Sequence, residues 1–142
     1  MIRFYFGENG KLVRDKVAEL TISQNHGIKT RKIGSEAIAK EILEKLPEEI
    51  EELKEARKNS DKEEKKELAD VITLLRSYIE KRGFDMSEIE AIISEKNDKK
   101  GGFDNGIVVE YVDLNPDGDE YDIWLNHFRS DKDRYIEEKL ND

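Results

Sequence analysis

Leu46 to Leu53 reads L-P-E-E-I-E-E-L, and Lys66 to Ile72 reads K-E-L-A-D-V-I. Each stretch sets two acids three residues apart, Glu49 with Glu52 and Glu67 with Asp70. Side chains at i and i+3 share one face of a helix. With Glu67 at 0°, Leu68, Val71, Ile72, Leu75, Tyr78 and Ile79 fall between roughly 20° and 140°, at the helical step of about 100° per residue. Asp70 then falls at roughly 300° and Leu74 at roughly 340°. In the preceding segment, with Glu49 at 0°, Ile42, Leu43, Leu46, Ile50 and Leu53 fall between roughly 20° and 120°, with Ile38 and Ala56 at roughly 340°. Glu49 thus lies inside an apolar stripe and Glu52 beside it, while Glu48, Glu51 and Glu55 fall on the wet side. The pattern predicts two consecutive amphipathic helices whose packing edges carry acids.

A lone E-x-x-E in a chain with 34 Asp plus Glu ordinarily marks a solvated helix face. Phase distinguishes these two pairs. A carboxylate in a packing face is costly unless it is paired or binds a metal. Two pairs at the edges of adjacent helices form an oxygen-rich set suited to a hard divalent cation. Glu49, Glu52, Glu67 and Asp70 are therefore the candidate ligands. Pro47 stands inside the first of the two helices, where it kinks the helix or starts a new segment.

The rest of the chain is organised around this pair. Ile2 to Phe6, I-R-F-Y-F, reads as a short strand closed by the turn G-E-N-G. A short helix is expected from about Arg14 to Gln24, then a basic linker, Ile28 to Ile33. Ser35 is the expected cap of the next helix, to about Lys58. Ser60 and Glu63 form a capping-box pattern for the following helix, to about Lys81, and Gly83 ends it. Ser87 and Glu90 repeat the pattern for a third, to about Lys99, closed by Gly101 and Gly102. Ile107 to Val112, I-V-V-E-Y-V, reads as a strand, Asn115 to Asp119 as a turn, and the tail to Leu140 as helical in part. The fold class expected is mainly α: an antiparallel helical bundle in one domain over residues 1–142, with a core of about 11–105, short terminal strands and an extra tail from about 113.

Composition narrows the partners. A net charge of −9 argues against a nucleic-acid backbone and suits a protein that holds cations. With no cysteine there is neither a disulfide nor thiol chemistry. No apolar run has membrane-spanning length and no signal-peptide pattern opens the chain, so a cytoplasmic location is expected, with no membrane partner.

The order of these motifs resembles the MazG-like all-alpha nucleoside triphosphate pyrophosphohydrolases, whose metal signature is E-x-x-E, a gap, then E-x-x-D. Here the gap between Glu52 and Glu67 is 14 residues. Lys11 to Lys16, K-L-V-R-D-K, looks like the opening of the phosphoribosyl-ATP pyrophosphohydrolase-like branch. Lys96 to Phe103, K-N-D-K-K-G-G-F, looks like that branch's basic segment after the third helix. The resemblance implies a magnesium-dependent cut, with manganese able to substitute, between the alpha and beta phosphates of a nucleotide. It makes Glu49, Glu52, Glu67 and Asp70 both catalytic and metal-binding. It gives Glu48 an assisting role as a base or outer group, sets Lys96 and Lys100 toward the phosphates, and makes Lys11 and Arg14 of the opening motif substrate-binding. Lys100 departs from the expected arginine, so a planar bidentate phosphate contact is lost. The implied chemistry is direct attack by water, with cations neutralising the polyphosphate. Three long helices enclose such a site poorly, so a homodimer or higher homo-oligomer is expected.

Other conspicuous residues have plainer readings. His26 is an exposed or structural loop histidine. Trp124 and Phe128, at i and i+4, are expected to pack the tail onto the bundle, with base stacking the sharper alternative. His127 is the same kind of base-contact candidate, and Phe103 is expected to plug the bundle. Asp117 to Asp122 lacks the full calcium-loop pattern and reads as a turn. Against the enzyme stand two rivals: a noncatalytic acidic helical module that binds a protein, and a protein that binds nucleotides without cutting them.

Overall fold

The computed structural model describes residues 1–131 and 134–140. Residues 132, 133, 141 and 142, which fall in the expected tail, lie outside the described residues. The chain divides into two compact units, Met1–Lys100 and Gly101–Asp142.

The first unit holds four helices: α1 (Val17–Ser23), α2 (Ser35–Asn59), α3 (Asp61–Lys81) and α4 (Met86–Lys100). Its centre is the hairpin of α2 and α3, which turns on a single residue. Ser60 has extended backbone, φ −163° and ψ 157°. Its N–H donates to Ala56 O at 3.2 Å, closing α2, while its Oγ accepts from Glu63 N at 3.2 Å, opening α3. Ser60 thus caps α3 as expected, but the capping box is half-formed: the Glu63 carboxylate accepts from Lys66 Nζ at 3.4 Å instead of Ser60 N. Pro47 does not divide α2, which runs unbroken past it.

Ala39, Ile42 and Ala56 of α2 are buried, with Val71 of α3. Among the described residues Ile42 is the one fully buried large side chain, a burial worth about 1.5–3 kcal/mol. The apolar stripes are wider than one partner helix can cover. Leu43, Ile50, Leu68, Ile72 and Leu75 remain between 38% and 51% exposed, a second apolar face on the hairpin.

Two caps differ from the sequence expectation. Gly34, not Ser35, precedes α2, and no side chain caps it. At α4 the capping side chain is Asp85 instead of Ser87: Asp85 Oδ1 accepts from Ser87 N at 2.9 Å and Ser87 Oγ at 2.8 Å. A carboxylate two positions earlier outcompetes a hydroxyl for the free N–H groups. Gly83 (φ +68°) and Gly101 (φ +77°) take the left-handed conformation after α3 and α4, as closing glycines do. No residue of α4 is buried.

The second unit contains α5 (Tyr121–Arg129). The expected Asn115–Asp119 turn is present, with Gly118 N donating to Asn115 O at 2.9 Å and Asp117 N to Asn115 Oδ1 at 3.0 Å. Phe128 packs edge-on to Tyr135 at 4.8 Å between ring centroids and against Trp124 at 5.9 Å. Arg129 binds Glu137 through two hydrogen bonds, at 2.7 and 3.0 Å.

The strands expected at Ile2–Phe6 and Ile107–Val112 are not formed; the described residues contain no strand. Both segments are irregular and exposed. β-branched and aromatic residues favour a strand, but a strand needs a ladder partner. Phe103, expected to plug the bundle, is fully exposed. No helix among the described residues is long and apolar enough to cross a membrane.

Candidate metal centre

α2 and α3 bring three of the four acids together. One carboxylate oxygen each from Glu49, Glu52 and Glu67 lie within 4.8 Å of one another. Glu49 faces α3 because it falls in the same helical stripe as Ile42 and Ala56, and it is only 7% exposed. Glu67 is half-buried and Glu52 exposed. The residues Glu52, Ala56, Asn59, Glu63 and Glu67 line an open cavity of about 340 Å³ at the α2–α3 turn.

Two oxygens in this cluster stand out. Glu49 Oε2 and Glu67 Oε2 are buried and have no hydrogen-bond partner. Buried carboxylate oxygens without a donor are costly, and a bound cation is one of the few groups that offsets the cost. The Glu67 carboxyl is held above the usual carboxylate range, first by burial, then by the charges of Glu52, Asp70 and Glu49. The donor set is all oxygen, half-buried and crowded with negative charge, and it fits a hard divalent cation.

Asp70 is set apart from the trio. It shares the face of Glu67 one turn on, but its Oδ1 accepts from Arg14 Nη2. Arg14, expected to bind substrate, here reaches a candidate ligand. Glu48 is exposed and lines a different cavity of about 450 Å³, with Tyr5, Phe6, Lys11 and Lys45. Lys11 thus belongs to that second cavity. Lys96 and Lys100 sit exposed near the end of α4, and neither lines the carboxylate cavity.

One residue escaped the sequence reading. Lys45 Nζ lies 3.4 Å from Glu49 Oε1, with its side chain only 18% exposed. The signal was available, since Lys45 stands four residues before Glu49, at roughly 320° on the same wheel.

No curated protein and no solved structure matches the chain. Residues 11–97 match the phosphoribosyl-ATP pyrophosphohydrolase (PRA-PH) family, more than half of the chain. The matched span contains the whole α2–α3 hairpin and all four acids. Its activity class is nucleotide pyrophosphohydrolysis. An acid-edged helical hairpin and the family match converge: this chain belongs to the phosphoribosyl-ATP pyrophosphohydrolase family.

Proposed function

We propose that the protein is a magnesium-dependent nucleotide pyrophosphohydrolase, cutting a nucleoside triphosphate or related nucleotide to monophosphate and pyrophosphate. The observation that carries this reading is the pair of buried, partnerless oxygens, Glu49 Oε2 and Glu67 Oε2, in a three-carboxylate cluster. Glu49, Glu52 and Glu67 would hold a magnesium or manganese ion, with Asp70 as fourth ligand. A bound divalent ion supplies charge neutralisation for the polyphosphate and a more acidic water.

The chain's own residues do the rest. Their α2–α3 scaffold fixes the carboxylates on rigid helices. Arg14, on leaving Asp70, would face phosphate, and Lys11, Lys96 and Lys100, none of which lines the carboxylate cavity, would add positive charge around the leaving pyrophosphate. Glu48 stands outside the cluster, where it assists as an outer group. Water is the nucleophile in this reading, and no side-chain nucleophile is required. The substrates in view are surplus or non-standard nucleotides, in a cytoplasmic house-cleaning role.

A homodimer completes this reading. The exposed face of Leu43, Ile50, Leu68, Ile72 and Leu75 runs along both hairpin helices. Two hairpins closing over it make a four-helix bundle, with the carboxylate clusters walled by the partner. Magnesium-dependent release of pyrophosphate across a nucleotide panel tests the activity. Nucleotide binding without release, or neither, defeats it.

A further inference from the structure

The carboxylate quartet has four negative charges, and the protein already answers two of them. Arg14 pairs with Asp70 at the outer edge, where the side chains are 63% and 39% exposed. Lys45 pairs with Glu49 inside, where they are 18% and 9% exposed. The two pairs differ in kind. The outer one is solvated and weak, whereas the inner one has little water to screen it.

Lys45 stands on α2 one turn before Glu49, with its stem along the packing stripe, and its ammonium meets Glu49 Oε1 at 3.4 Å. The other oxygen of the same carboxylate, Oε2, has no partner. Glu49 is thus half-answered: a cation on one oxygen, an open position on the other, beside Glu52 and Glu67.

We propose that Lys45 is a resident counterion of the carboxylate cluster, a positioning residue that stabilises the metal-free protein and competes with the divalent cation for the charge of Glu49. This rests on the metal reading above. With no metal, Lys45 offsets the repulsion among the clustered carboxylates and keeps the α2–α3 hairpin closed. Once a divalent ion neutralises Glu49, the ammonium is beside a cation and contributes less. Because Lys45 stabilises the free form more than the bound form, linkage requires that it weaken metal binding by the same factor.

The test uses the full-length chain, with Lys45→Met, Lys45→Gln and Lys45→Arg, titrated with Mn2+ by calorimetry and melted in EDTA and in saturating Mn2+. Lys45→Met is expected to melt lower than wild type in EDTA and to show a larger Mn2+-induced rise in Tm. Its Mn2+ Kd is expected to be about tenfold tighter, a factor equal to about 1.4 kcal/mol. Lys45→Arg keeps the charge and is expected to bind Mn2+ as wild type does. If the methionine variant does not fold in EDTA, Lys45→Gln, which keeps a donor for Glu49, takes its place with the same expected direction. A purely packing role would lower Tm equally with and without Mn2+ and leave Kd unchanged, which overturns the proposal. Weaker Mn2+ binding by Lys45→Met also overturns it. A wild-type chain that binds no Mn2+ overturns the metal reading itself.

Discussion

Arg14 and Asp70, 56 residues apart, join the segment before α1 to the middle of α3. The pair ties the basic opening motif to one of the four acids of the hairpin. Its side chains are 63% and 39% exposed, so its contribution to stability is under about 1 kcal/mol. Arg14→Met is therefore expected to shift a urea midpoint only slightly. Its larger effect is expected on turnover, with the KM for nucleotide rising about tenfold through loss of a phosphate partner. Steady-state kinetics beside equilibrium unfolding separates the two; a large loss of stability with unchanged KM contradicts the assignment.

Glu67→Gln and Asp70→Asn are each expected to lower turnover by more than about 100-fold, because each removes charge where the polyphosphate must be neutralised. Their far-UV circular dichroism is expected to match wild type. Near-normal turnover by either variant at saturating magnesium removes that residue from the site.

The acidity of Glu67 sets a pH dependence in chelator. Its folded-state carboxyl is held above the ordinary range, chiefly by burial and by the charge of Glu52. The folded protein thus keeps a proton that the unfolded chain has lost. The resulting cost is absent below the ordinary carboxylate range, grows as pH rises through the window up to the raised value, and is complete above it. In EDTA, Glu67→Gln is expected to melt higher than wild type at neutral pH, with the difference vanishing in acid. A Tm difference independent of pH contradicts this.

The hairpin has two stability-critical points. Ile42→Ala removes the fully buried side chain and is expected to cost about 2–5 kcal/mol. Ser60→Ala removes the acceptor for Glu63 N and is expected to cost about 1 kcal/mol. Urea unfolding of both variants, read against wild type, gives the values; equal losses would mean that the turn matters as much as the core.

The exposed apolar face sets an expectation for assembly. Ile72→Glu places a charge in its middle and is expected to shift the elution of the protein from dimer to monomer on gel filtration. A wild-type protein that elutes only as monomer removes the dimer.

Much of this was legible in helical phase. Glu49 lies with Ile42 and Ala56 on one wheel, and the structure buries all three. Ser60 and Glu63 announced the start of α3 by chemistry that acts within one turn. What failed depended on competition or distance. Asp85 and Ser87 both offer a cap, and only the folded backbone decides which one bonds. Arg14 meets Asp70 across the fold, which no local pattern reveals. Ile107–Val112 carries strand-forming side chains but makes no strand, because propensity supplies no partner.

The most direct measurement is product analysis on a panel of nucleoside triphosphates, with purified full-length protein, in magnesium and in EDTA, beside Glu49→Gln. The expected result is nucleoside monophosphate and pyrophosphate in equal amounts, from at least one nucleotide, in magnesium and with wild type alone. Release of orthophosphate instead, or no product from any nucleotide in magnesium, contradicts pyrophosphohydrolysis at the Glu49, Glu52 and Glu67 cluster.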